Sequence, residues 1–134
     1  MQFKKKYDPS SEAKWFKHKD AEFLIAPNLN PRMKMVMLEL FTLEEAVGIE
    51  EKGGLALGNT IKGKEAIERL NELYAKGIVF DWKNVLDGTE PVPFSHENVL
   101  EQMNSDFEFR NWTIQCANEL ILERLKEKDE IVKN

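Results

Sequence analysis

The sequence has few of the residues that usually reveal a catalytic or metal-binding function. Cysteine occurs once, at Cys116, which excludes a disulfide within the chain and a metal site built from several cysteines. The two histidines, His18 and His96, stand far apart and neither has a second ligand four residues on, so no zinc site is indicated. No run approaches the roughly 18 apolar residues of a membrane span, and no apolar segment of a secretory signal follows the first lysines. We therefore expect a reducing, cytoplasmic location.

Positive charge is also scarce outside the first residues. The net charge of the 134 residues is −5, but residues 1–20 contain six lysines and three acidic residues, which leaves −8 for the remainder. Because binding to phosphates needs a basic face, the acidic body argues against a nucleic-acid partner. The run Lys4-Lys5-Lys6 is interpreted as part of a solvated, flexible start over residues 1–11, with contact to an acidic partner as the alternative.

The composition is that of one folded domain over residues 1–134, with 42% hydrophobic and 32% charged residues. Two apolar runs flank the polar residues 17–20 and predict a β-hairpin, which would need helices or another chain to stabilise it. Asn30 as N-cap and Pro31 at the first position predict a helix with an apolar stripe as far as Leu43, although a strand over 33–40 is an alternative.

The remainder of the chain predicts three further helices. One ends at Gly77 and has Thr60 as a possible N-cap, the next begins at His96 after the N-cap Ser95, and the last runs over about 106–130. Residues 126–134 are almost wholly charged and are expected to project into solvent. The predicted fold is therefore mainly α within the α+β class: an N-terminal hairpin, about four helices, and an extended Trp/Pro loop before the last two.

Glycines at 48, 53, 54 and 58 predict a mobile loop over residues 48–60. Residues 53–60 have the glycine spacing of a phosphate-binding loop, but Asn59 stands where that motif needs lysine, so nucleotide binding is not indicated. Residues 81–88 resemble a calcium loop in acidity alone, since Lys83 and Leu86 occupy positions that need a ligand and a glycine. Cys116 lies on the apolar stripe of the last helix and is interpreted as a packing residue.

No catalytic, cofactor-binding or metal-binding residue can be assigned from these patterns. The sequence thus favours a non-enzymatic module that binds protein or has a structural role, with self-association possible. A candidate partner surface is the methionine-rich part of the first predicted helix, because flexible methionine side chains adapt to helical partners. The alternative is that these side chains fill the core. The candidate residues are Met33, Met35, Met37 and Phe41.

Two segments carry a resemblance to a known family. Residues 23–27, FLIAP, follow the Trp15-Phe16 run, and residues 79–98 read VFDWKNVLDGTEPVPFSHEN. Together they resemble the tail assembly chaperones of bacteriophages and prophages with long, non-contractile tails. The turn departs from the family pattern because its glycine, Gly88, comes early. We interpret the matching residues as structural, because aromatic anchors, prolines and an N-cap fix a loop. They include Asp81, Trp82, Pro91, Pro93, Phe94, Ser95, Glu97 and Asn98.

The resemblance implies an assembly factor that acts in the bacterial host cell and is absent from the mature virion. Such proteins bind the tape-measure protein and recruit tail-tube subunits to it before the tail polymerises. The family is often made in a second, longer form by frameshifting, and residues 126–134 are where an extension would join. Two alternatives stay open: a minor tail or head–tail connector component of the virion, and a small regulatory protein-binding module.

Overall fold

The computed structural model describes residues 12–52 and 63–132, with side chains as far as residue 126. The first eleven residues and most of the glycine-rich segment, including the possible cap Thr60, lie outside the described residues. The expected fold class is confirmed, and the described residues form five helices where about four were predicted. The elements are β1 (Lys14–His18), β2 (Ala21–Ile25), α1 (Pro31–Leu40), α2 (Leu43–Lys52), α3 (Lys64–Gly77), β3 (Val79–Lys83), β4 (Leu86–Asp87), β5 (Glu90–Pro91), α4 (His96–Ser105) and α5 (Phe107–Val132).

The predicted hairpin is present as β1 and β2, and the chain itself supplies the third strand that stabilises it. β3 pairs antiparallel with the free side of β2, which gives the strand order β1-β2-β3. In this register Phe16, Phe23 and Trp82 lie side by side on one face of the sheet. Three strands with one covered face are stable where an isolated hairpin is marginal, so no second chain is needed to complete the sheet.

A smaller ribbon, β4 and β5, begins the extended loop that follows β3. Its turn contains Gly88 at a φ of 63°, a conformation that glycine adopts without strain. The early glycine that departs from the family pattern therefore occupies a position that needs it in this chain.

The core lies between the inner face of the sheet and the helices. α3 packs against α1, α4 and β3, while α5 lies across β2. Fully buried apolar side chains such as Ile25, Leu73 and Val79 each contribute about 1.5–3 kcal/mol to the stability of the fold.

Asn30 connects the start of α1 to the end of α3. Its Oδ1 accepts a hydrogen bond from the backbone N–H of Met33 at 3.1 Å, as the predicted N-cap should. Its Nδ2 donates to the carbonyl oxygens of Pro27 and Gly77, both at 2.7 Å. The side chain is buried, and each polar atom has a partner, so one residue caps a helix and joins two segments 47 positions apart.

The predicted first helix is interrupted, and the predicted loop over 48–60 is wrong for its first five residues. α1 ends at Leu40 and α2 begins at Leu43, so the helical stripe expected to reach Leu43 is divided between two helices. The N–H of Glu45 donates to Thr42 Oγ1 at 3.2 Å, and the N–H of Thr42 donates to Glu45 Oε1 at 2.8 Å. This reciprocal capping box starts α2, which then continues through Gly48 because packing outweighs glycine's low helix propensity.

Gly77 ends α3, as predicted, and a close contact with α1 explains why the residue is glycine. It is the last residue of α3, but its φ is not positive. A Cβ at this position would lie 2.9 Å from the Cα, Cβ and Cγ atoms of Met33. Glycine is therefore needed because α1 approaches the end of α3 closely, and not because the helix ends in a left-handed turn.

Candidate functional site

Trp82, on β3, anchors the extended loop that follows this strand to the sheet. Its indole Nε1–H donates to the carbonyl of Val92 at 2.9 Å, and its ring meets Phe94 and Phe23 edge-on, with centroids 5.7 and 6.1 Å away. The carboxylate of Asp81 accepts a hydrogen bond from the backbone N–H of Trp82 at 2.8 Å. Edge-to-face aromatic contacts and a satisfied indole are typical of an anchoring residue, so these side chains hold the loop against the body.

The other motif residues shape the entry into α4. Ser95 is the N-cap and accepts a hydrogen bond from the backbone N–H of Asn98 at 3.0 Å. The side chain of Asn98 reaches back to the carbonyl of Pro93 at 2.9 Å. Glu97 lies exposed in the first turn, where a negative charge favours the helix dipole, and Pro91 belongs to the β4–β5 ladder. The contacts described for these residues are internal to the chain.

The four residues named as a candidate partner surface on α1 do not lie on one face. Met33, Met37 and Phe41 are buried in the core, which corrects their assignment to a partner surface and agrees with the alternative that they fill the core. Met35 is the exception, since 66% of its surface is exposed. The helical spacing explains this division, because residues 33 and 37 face the core while residue 35 lies about half a turn away.

A second apolar surface lies on the outward side of α1 and α2. The two helices are joined there by an ion pair, in which Lys34 Nζ lies 3.2 Å from a carboxylate oxygen of Glu50. The exposed apolar side chains of these two helices are hereafter the α1–α2 apolar face, and their exposed fractions run from 44% to 70%. They are Met35, Leu38, Leu43 and Val47.

The sequence analysis named Met35 as part of a candidate surface but did not predict the contribution of α2. The missed signal was the sequence Thr42-x-x-Glu45, a capping box that starts a new helix carrying the exposed residues Leu43 and Val47. Exposed leucines are common singly, whereas a contiguous exposed apolar set marks an interaction surface. The α1–α2 apolar face is therefore the candidate binding surface of the described residues.

A groove of about 290 Å³ lies at the hairpin tip, where the turn meets the loop after β3 and the junction of α4 and α5. Its floor is formed by Phe23, Trp82 and Phe109, which are themselves almost fully buried. Lys19 and Asn84 stand at its rim, both with positive φ. The groove therefore exposes little aromatic surface, and charged and polar side chains, among them Asp20 and Asp106, also line it.

The two histidines have separate surroundings. His18 ends β1 and packs on Trp112, with ring centroids 4.5 Å apart. His96 is the first residue of α4, as predicted, and its Nε2 lies 3.0 Å from a guanidinium nitrogen of Arg32. Burial first, and then the charges of Arg32 and Lys76, lower the pKa of His96 below 6.5. A neutral His96 accepts the hydrogen bond from Arg32, and protonation would abolish it.

Cys116 is buried on the inner side of α5, as its position on the apolar stripe predicts. Burial, together with the nearby Glu119, raises the pKa of its thiol to about 11. A thiol that stays protonated is a poor nucleophile. Over residues 12–52 and 63–132, no group of three or more histidine, cysteine, aspartate or glutamate side chains is arranged to hold a metal ion.

None of the helices in the described part of the chain combines the length and the apolar character needed to cross a membrane. A family model described as YdaY prophage protein matches residues 33–134. No curated protein and no solved structure matches the chain. The family match includes the α1–α2 apolar face and the whole Trp82 loop. Because it covers more than half of the sequence, the chain belongs to the YdaY prophage protein family.

Proposed function

We propose that this prophage protein is a tail assembly chaperone, which binds the tape-measure protein and recruits tail-tube subunits without making or breaking a covalent bond. The observation that carries the proposal is the α1–α2 apolar face, four exposed side chains on two adjacent helices that the fold leaves uncovered. Burying such side chains against a client would favour binding by about 25 cal/mol per Å² of apolar surface removed from water. A holdase needs a surface of this kind and needs no catalytic group.

Two further observations support the same function. The family match gives a prophage origin, and residues 79–98 resemble the characteristic segment of tail assembly chaperones. In this structure that segment fixes the Trp82 loop and the start of α4, so the resemblance extends to residues that shape the fold. The protein would act in the cytoplasm of the bacterial host and leave before the virion is complete.

Co-expression with the tape-measure protein of the same prophage tests the proposal. We expect the tape-measure protein to become soluble and to co-purify with this chain, and tail-tube protein to join the complex when it is added. If the tape-measure protein stays equally insoluble with and without this chain, the proposal is wrong.

Mass spectrometry of purified virions separates the proposal from a structural role in the tail or connector. A chaperone is lost from mature particles, whereas a minor tail or connector protein is present in a fixed ratio to the other structural proteins. Stoichiometric recovery of this chain from virions would therefore contradict the proposed function.

A further inference from the structure

The α1–α2 apolar face has acidic edges. Glu39 follows Met35 by four residues on α1, and Glu51 follows Val47 by four residues on α2, so each lies beside an apolar member of the face. Glu44 precedes Val47 by three residues and lies on the same side of α2. All three glutamates are exposed, and none has an ion-pair partner among the described residues. The face is thus a set of exposed apolar side chains with glutamates beside it on both helices, and these glutamates have no ion-pair partner within residues 12–52 and 63–126.

We propose that this face binds an amphipathic helix of another polypeptide whose apolar stripe is flanked by lysine or arginine. The inference rests on the proposed function, for which it specifies the chemistry of the client segment. α1 and α2 are neighbours in the fold, and a pair of helices with exposed apolar side chains can receive the apolar side of a third helix. The acidic edges then select basic flanks and exclude acidic ones.

The charge pattern also argues against a second copy of this chain as the occupant. In a symmetric dimer the same patch meets itself. Such a dimer through the α1–α2 apolar face would bring the edges formed by Glu39, Glu44 and Glu51 close to their own copies. Like charges across an interface are unfavourable, so a basic helix suits the surface better than a copy of it.

A labelled synthetic helix provides the first test of the apolar contacts. The probe has 18 residues, with leucines at i, i+3, i+4 and i+7 and lysines on both flanks, and its binding to the full chain is followed by fluorescence anisotropy. Leu38→Ser with Leu43→Ser should weaken binding about tenfold or more, because both leucines would be buried in the complex. The matched control, Leu122→Ser with Leu125→Ser, removes leucines of similar exposure, 64% and 54%, from α5 and should change the affinity less than twofold. If the two double variants lose affinity for the probe equally, the proposal is wrong.

The acidic edges are tested with the same probe and a charge-reversed version of it. Glu39→Gln with Glu44→Gln should weaken binding of the lysine-flanked helix about threefold, since each exposed charge pair contributes modestly. The control, Glu101→Gln with Glu108→Gln, makes the same net-charge change on α4 and α5 and should have little effect. A glutamate-flanked helix should bind much more weakly than the lysine-flanked one. If both helices bind alike, the acidic edges have no role and the proposal is wrong.

Two further measurements separate this surface from the proposed function. If the tape-measure protein co-purifies equally with wild type and with the Leu38/Leu43 variant, the chaperone function stands and the α1–α2 apolar face is the wrong surface. If the basic probe binds but the tape-measure protein never co-purifies, the surface stands and the proposed function is wrong. Analytical ultracentrifugation of the chain alone measures its oligomeric state. If wild type is a dimer and the Leu38/Leu43 variant is a monomer, the α1–α2 apolar face binds a second copy of the chain and the proposal is wrong.

Discussion

Replacing Asn30 by aspartate should destabilise the protein strongly although the two side chains have nearly the same shape. Aspartate keeps the oxygen that caps α1 but replaces the Nδ2 group, which donates to the carbonyls of Pro27 and Gly77 at 2.7 Å. An oxygen in that place would face two acceptors inside the protein, where the side chain is only 4% exposed. Losing both hydrogen bonds and burying a carboxylate whose second oxygen has no donor should cost about 2–4 kcal/mol at neutral pH.

Urea unfolding followed by circular dichroism measures this cost, and two controls separate its causes. Asn28→Asp makes the same change two residues earlier, where Nδ2 donates to Asn118 Oδ1 in an exposed position, and should cost less than about 0.5 kcal/mol. Ser95→Ala removes an N-cap without joining two segments and should cost about 1 kcal/mol. If Asn30→Asp is as stable as wild type within about 0.5 kcal/mol, the assignment of Asn30 as the link between α1 and α3 is refuted.

Three other substitutions give distinct outcomes. Gly77→Ala should lower the free energy of unfolding by about 1 kcal/mol or more, measured in urea, because the clash with Met33 outweighs alanine's better helix propensity; a stabilised variant would contradict the close approach. Because folding lowers the pKa of His96, neutral His96 stabilises the fold fully above pH 6.5, and this stabilisation is lost as the pH falls through the pKa of the folded state. The free energy of unfolding of wild type should therefore fall relative to that of His96→Gln between pH 7.5 and 5.5. If the two free energies change in parallel with pH, this prediction is wrong. Trp82→Phe should cost about 1–2 kcal/mol in thermal unfolding, since a carbonyl loses its indole partner, and an unchanged melting temperature would show that this bond contributes nothing.

The sequence predicted elements whose signals are local. Two apolar runs on either side of a polar stretch predicted the hairpin, and Asn30 and Ser95 predicted the starts of α1 and α4, because an N-cap and its first turn are recognisable within a few residues. The buried position of Cys116 followed from helical periodicity in the same way. In each case the residues that decide the structure are neighbours in the chain.

The features that were missed depend on residues far apart or on signals that compete. β3 was not predicted as a strand, because its partner β2 lies more than 50 positions earlier. The glycines at 48, 53, 54 and 58 favoured a loop, so the helix that contains Gly48 was missed although the capping box at Thr42 indicates it. Gly77 was predicted as a helix end, but its contact with Met33 could not be predicted because it forms only when α1 packs against α3.

The candidate surface was only partly predictable for a related reason. Four residues on α1 were proposed, but periodicity alone could not decide which of them face the core, since apolar residues occupy more than one side of that helix. Packing of α3 against α1 buries Met33 and Met37 and leaves Met35 outside. The face is completed by α2, whose Leu43 had been assigned to the stripe of the preceding helix.

The central claim is that this protein works by covering the apolar surface of another polypeptide. The most direct measurement is the mass, by light scattering after size-exclusion chromatography, of the species purified after co-expression with the tape-measure protein. We predict a single large complex that contains both proteins, well above the 15.6 kDa of this chain. If this chain elutes without the tape-measure protein at every concentration tested, the claim is contradicted.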